Sequence, residues 1–308
     1  MSKMKRILPI FAVIFVVLMS GVNALLYLLS PPTEETTLPM PRQAIAVENR
    51  HTETIYNRFR TNLELILGER VKDYAVYFYC PDLDDKPLYW QSRPMRAASM
   101  IKIFILAKAM TDADEGKFSL TDKLVLKEKD MVDGAGVLDG EPSGRQMEIG
   151  ELLELMIKES DNTATNMMID FLGMEAINQH LSEHLYTDTI LQHKMMVSNN
   201  GKGNFTSVRD VGDLFTRIYR RECVDEYHDG IMLKYLLRQT DNECLPAVLP
   251  GWQIAHKTGE VTGVYHDGGI FFGTKGNFIL VIMSESDEGR AYVIENMQAI
   301  AKMAVDML

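Results

Sequence analysis

The chain has 308 residues, 46% of them hydrophobic and 24% charged, a globular composition that excludes collagen-like, coiled-coil and disordered classes. Its 32 basic and 43 acidic residues leave a net charge of -11, so it lacks the cationic footprint of a nucleic-acid binder. The length suits one large domain or two modest ones.

Lys3, Lys5 and Arg6 precede Ile7 to Leu29, 23 residues without a formal charge. At about 1.5 Å per helical residue such a run crosses a hydrocarbon core of about 30 Å. Residues 1–29 therefore read as a membrane anchor or a signal segment. Positive residues stay inside, so everything after Ser30 is expected outside the cytoplasm, on a single-pass protein of the cell membrane. A secreted product is the alternative, because Val22-Asn23-Ala24 resembles a cleavage site. Leu25-Leu26-Tyr27-Leu28-Leu29 continues the apolar run past that point and favours a retained anchor. Residues 30–48, with Pro31, Pro32, Pro39 and Pro41 among Thr and Glu, read as a semi-extended linker. Cys80, Cys223 and Cys244 are too few for a disulfide framework; a Cys223–Cys244 bridge and three free thiols are the alternatives.

The remainder, 49–308, reads as one mixed domain. Thr52 to Arg70 has the spacing of an amphipathic helix, with apolar residues at Ile55, Phe59, Leu63, Leu65, Ile66 and Leu67 and charge between them. Tyr74 to Cys80 and Leu88 to Trp90 predict a hairpin across the turn residues Asp82 to Lys86. Ala98 to Ala109, Ile149 to Glu159 and Thr163 to Leu172 have helical composition, with Gly134-Ala135-Gly136 in a loop. A further helix runs from Arg209 to about Arg220. Trp252 to Thr258, Gly269 to Gly273 and Phe278 to Met283 predict three successive strands, and Gly289 to Leu308 a closing helix. Strands at both ends of the domain imply one sheet lobe, 49–95 with 208–308, and an inserted helical lobe, 96–207.

Three triplets carry the chemistry. Ser99 and Lys102 stand at i and i+3 at the start of an apolar helix, so hydroxyl and amine emerge on one face. An amine there accepts the serine proton if desolvation or a nearby cation lowers its pKa. The spacing alone is weak: Ser2-Lys3-Met4-Lys5 repeats it by accident, and Ser99 also suits an N-cap. Ser160-Asp161-Asn162, between two helical runs, and Lys257-Thr258-Gly259, on a strand, are rarer in this composition. Each has a plain alternative, a helix cap for Ser160 or Asp161 and a bulge for Gly259. All three together, in this order, favour one active site.

At this point the chain resembles the penicillin-recognising serine enzymes, most closely class A β-lactamases, over about Thr52 to Leu308. Besides the triplets the match takes in Gly134-Ala135-Gly136-Val137-Leu138, Met156 to Asn166, Thr206-Ser207-Val208-Arg209-Asp210 and His256. The resemblance implies an α+β fold with a five-stranded antiparallel sheet flanked by helices, plus an all-helical lobe, and a cleft between the two. It implies Ser99 as acylated nucleophile, Lys102 as its base and Ser160 as proton relay to the departing nitrogen. Asn162 would donate to the substrate's side-chain amide, Lys257 and Thr258 would hold its carboxylate, and Gly259 would let it lie against the strand. The backbone N–H groups of Ser99 and Glu260 would form the oxyanion hole.

One departure matters. Class A β-lactamases hydrolyse their acyl-enzyme with a loop glutamate between the second and third motifs. Here Thr189 to Arg209 contains neither Asp nor Glu. Gln192 and His193 are the remaining candidates to position or activate water, with an exposed, idle His193 as the plain alternative. The expected substrate is a β-lactam or a related amide, with slow deacylation; a D,D-peptidase of cell-wall peptides and a penicillin sensor are the alternatives. No metal or cofactor and no nucleic-acid partner is expected, and the chain reads as a monomer. His180 and His184 have a helical metal spacing but read as surface histidines. His228-Asp229-Gly230 and His266-Asp267-Gly268 read as turns, the second at the rim of the cleft.

Overall fold

The computed structural model describes residues 49–82, 86–197 and 203–308. The expected anchor and linker, 1–48, lie outside them. Among the described residues no helix is long and apolar enough to cross a membrane.

The main sheet has the order β2-β1-β9-β8-β7, with every neighbouring pair antiparallel. Its strands are β1 (Tyr74–Tyr79), β2 (Leu88–Trp90), β7 (Gln253–Val261), β8 (Val264–Gly273) and β9 (Gly276–Glu285). Both ends of the domain thus build it: Tyr74 pairs with Ser284, and Lys257 with Gly268. Strands β1 and β9 are buried almost throughout rather than alternately, because helices cover both faces. On one face lie α1 (Asn49–Leu67) and α8 (Arg290–Asp306). There Phe59 stacks on Phe78 at 4.1 Å and Phe271 on Phe278 at 4.5 Å. Val293, Met297, Ile300, Ala301 and Ala304 form the buried stripe of α8.

The other face carries α6 (Val208–Arg220), α7 (Glu226–Leu237) and the helical part of the chain. That part comprises α2 (Ile101–Asp114), α3 (Ile149–Lys158), α4 (Asn162–Leu172) and α5 (Met174–Glu183). Helix α2 is buried on nearly every side, so it shows no amphipathic stripe. Two short pairs were not foreseen: β3 (Met95–Arg96) with β6 (Phe205–Thr206), and β4 (Lys123–Val125) with β5 (Gln146–Glu148).

Three expectations are corrected. His266-Asp267-Gly268 is no turn but the middle of β8, opposite Lys257 to Gly259. His266 Nδ1 accepts from Ser284 N, its Nε2 donates to Arg96 O at 2.7 Å, and Asp267 accepts from Leu245 N at 3.0 Å, so each polar atom finds a remote partner. The turn falls instead at Thr262-Gly263, where Gly263 has φ +71°. His228-Asp229-Gly230 lies in the first turns of α7, where buried Asp229 accepts from Cys223 N and Val224 N. His180 is buried beside Lys108 and His184, not exposed, and burial pushes its pKa down to about 3. All three cysteines are free thiols.

Candidate active site

Strand β3 leads into a 3₁₀ turn, Ala98–Met100, and then into α2. Ala98 has φ +44°, a left-handed conformation that costs a non-glycine residue about 1 kcal/mol or more. Ser99 follows it at the tip. Its hydroxyl caps neither the turn nor α2, so the N-cap alternative falls. Gly259 on β7 backs this turn: a Cβ there would lie 3.1 Å from Met100 Cγ and 3.3 Å from Ala97 O. The missing side chain therefore serves the approach of strand to turn, where the sequence suggested room for a ligand.

One helical turn past Ser99, Lys102 is fully buried. Its Nζ donates to the backbone oxygen of Ser160, to Ser160 Oγ at 3.1 Å and to Asn162 Oδ1 at 2.9 Å. Lys257, also fully buried, reaches the same Ser160 Oγ at 3.0 Å and Thr258 O at 2.9 Å. Ser160 itself has φ +53°. One hydroxyl thus sits between two amines. Burial, and then the like charge of Lys257, holds Lys102 well below the usual lysine range. Burial brings Lys257 down to about 8, opposed by Asp241 and Asp267. Burial and like charge thus act together on Lys102, whereas on Lys257 burial works against two carboxylates.

Asp161 organises the segment on which this depends. It N-caps α4 by accepting from Ala164 N at 2.7 Å, and its other oxygen accepts from Val137 N and Leu138 N at 2.6 and 3.0 Å. The loop 134–138 is drawn so close that a Cβ on Gly136 would overlap this carboxylate. Asn162 Nδ2 donates to Asp133 O, and Asn162 N to Ala135 O. His256, next to Lys257, faces away from the cleft and pairs with buried Asp267 at 2.8 Å.

Ser99, Asn162 and Glu260 open together on a cleft of about 350 Å³, bordered also by Ala135, His193, Met195, Met196, Asn204 and Val261. Thr258 borders a small adjoining cavity with Glu260 and Arg290. Gln192 is half-buried and borders neither; its N–H donates to Asn204 Oδ1. His193 does reach the cleft, with Nδ1 turned to Lys194 O at 2.7 Å. The carboxylate at the rim, Glu260, is held by Arg290 at 2.9 and 3.0 Å.

Several residues here escaped the sequence reading. Asn204 carries the turn and the loop together: its backbone oxygen accepts from Ala97 N at 2.7 Å, while its side chain binds Gln192 N, His193 N and His193 O. Asn166, one turn after Asn162 on α4, grips the backbone of Met195. Its i+4 spacing from Asn162 was the available signal. Nothing in the sequence marked Asn204, Met195, Met196 or Val261.

The profile of the beta-lactamase enzyme family matches residues 59–308. Beta-lactamase BRO-1 of Moraxella catarrhalis is 25% identical over 181 residues, which are 52% of this chain and 54% of that protein. A beta-lactamase structure from Sphaerobacter thermophilus covers 82% of this chain and 97% of its own, with TM-score 0.75 and 24% identity. A variant of PBP-A, solved as an acyl-enzyme complex with penicillin G, covers 82% and 97%, with TM-score 0.74 and 28% identity.

Proposed function

The chain belongs to the beta-lactamase enzyme family, and from that premise we propose that it is a serine hydrolase that opens β-lactams or related amides through an acyl-Ser99 intermediate. The observation that carries this reading is the Lys102–Ser160–Lys257 array, with Lys102 one helical turn past Ser99. In acylation Ser99 Oγ attacks the amide carbonyl while neutral Lys102 takes its proton. Negative charge grows on the carbonyl oxygen against the backbone N–H groups of Ser99 and Glu260. Ser160 then passes a proton to the amide nitrogen as the C–N bond breaks, and the lysine proton refills Ser160. Lys257 supplies the positive charge for a substrate carboxylate, with Thr258 beside it.

Deacylation reverses the demand: water must lose a proton near the ester. The loop Thr189 to Arg209 offers no carboxylate, and Glu260 is engaged by Arg290. That absence supports slow turnover and keeps a D,D-peptidase or a penicillin sensor as the second reading. The penicillin acyl-enzyme of a PBP-A variant is in keeping with it. Mixing the protein with benzylpenicillin and following intact mass over time tests the reading. A one-to-one adduct on Ser99 that decays over minutes or longer supports it; no adduct and no hydrolysis overturn it.

The enzyme is proposed to stand outside the cytoplasm on the 1–29 segment. External protease on intact cells should release the domain and leave a short stub, and protection of residues 49–308 would refute the placement.

A further inference from the structure

Resting on the acyl-serine reading, we propose that His266, with Glu285 beside it, is a positioning residue for acylation: the two side chains clamp both backbone polar groups of Arg96 and so fix the place of the Ser99 N–H three residues on. Strand β3 is short and pairs, among the described residues, with β6 alone. The N–H and C=O of Arg96 are taken by side chains instead. Arg96 N donates to Glu285 Oε1 at 2.8 Å, and Arg96 O accepts from His266 Nε2 at 2.7 Å.

The sheet puts His266 where it can do this. It pairs with Gly259 across β7 and β8, and directly opposed residues project to the same face. Gly259 leaves the gap that the Ala97–Met100 backbone approaches, and His266 stands next to it, 4% exposed. Its ring is oriented from behind. Ser284 N, which can only donate, gives its hydrogen to Nδ1 at 3.2 Å, so the ring proton lies on Nε2 and faces Arg96 O. Burial lowers the imidazole pKa and keeps the ring neutral, as this pattern requires. The turn needs such a hold, because Ala98, at φ +44°, stands between Arg96 and Ser99, and a strained residue persists only where its surroundings over-determine it. An oxyanion donor displaced by about 1 Å costs on the order of a hundredfold in rate. Lys257 and Asn162 sit on β7 and α4, so substrate binding is spared while the step that builds charge on the carbonyl oxygen slows.

Acylation of the full chain by benzylpenicillin, followed by intact mass over a range of penicillin concentrations, separates the maximal rate from the half-saturating concentration. His266→Gln places an amide donor near the position of the ring Nε2 and so keeps the bond to Arg96 O. His266→Asn places an oxygen near the position of Nδ1 and keeps only the acceptor for Ser284 N. His266→Asn should lower the maximal rate about a hundredfold with the half-saturating concentration within about threefold of wild type, while His266→Gln should hold the maximal rate within about fivefold. Equal rates in the two variants, or a loss expressed in the half-saturating concentration, overturn the clamp. Glu285, partly exposed, supplies a further variant if neither of these folds. Glu285→Ala should slow acylation about tenfold, and a wild-type rate there overturns the clamp as well. Wild-type protein that forms no Ser99 adduct sinks the acyl-serine reading, and the clamp with it.

Discussion

Asn166 holds Met195 from both sides of its backbone, donating from Nδ2 to the carbonyl at 3.0 Å and accepting the N–H at Oδ1 at 2.7 Å. The grip fixes one loop residue at the border of the cleft, and that residue carries a thioether. A carboxylate in its place would be partly buried, which raises its pKa toward the value a general base needs. Met195→Glu should therefore speed loss of the penicillin adduct by a factor on the order of a hundred. A slow phase unchanged in that variant would mean that residue 195 does not face the ester.

The present base for deacylation is separable by a second substitution. His193→Ala should slow the steady state if the imidazole activates water, and leave it unchanged if Lys102 does. Time courses of penicillin hydrolysis after the burst read the difference directly.

Acylation has its own signature. Ser99→Ala should abolish the adduct, and Lys102→Ala should slow its formation a hundredfold or so, the usual contribution of a positioned base. Adduct surviving in Ser99→Ala, mapped by peptide mass, would move the nucleophile elsewhere.

The two buried lysines predict a pH dependence. Labelling should rise as Lys102 loses its proton and, for a substrate with a carboxylate, fall above about pH 8 as Lys257 loses its own. The same group affects stability. Between about pH 8 and 10.5 unfolded Lys257 keeps a proton that the folded side chain has released, so wild-type stability rises with pH across that window. Lys257→Met should be more stable than wild type at pH 7, with the gap closing by on the order of 3 kcal/mol by pH 10.5. Urea melts at the two pH values measure it; a constant gap would contradict the assignment.

Asp161 offers a structural control. Asp161→Ala strands three backbone N–H groups and should cost about 3 kcal/mol, with amide exchange quickened at Val137 and Leu138.

What the sequence disclosed was what local spacing encodes. Ser99 and Lys102 could be put on one helix face because i and i+3 fix that geometry, and the Tyr74–Trp90 hairpin announced itself by aromatic runs around a turn. His266-Asp267-Gly268 misled because its composition suits a turn, while the groups that satisfy it, Ser284, Arg96 and Leu245, are remote in sequence. His180 misled in the same way, since its burial comes from helices packed against α5. Asn204 was invisible: its function lies in bonds to residues 97, 192 and 193, and an asparagine before a short strand carries no sign of them.

A sheet whose first strand pairs with its last, Tyr74 opposite Ser284, also sets a timetable. As the chain is synthesised, Ser99 and Lys102 emerge long before Lys257, and β1 stays without β9 until nearly the whole polypeptide is made. Pairings so distant close slowly, after the local helices have formed. The proposed nucleophile is therefore present without Lys257 throughout synthesis, and the acylation proposed for it waits on the docking of the C-terminal strands. A chain delivered across a membrane before those strands dock would travel as an inert precursor.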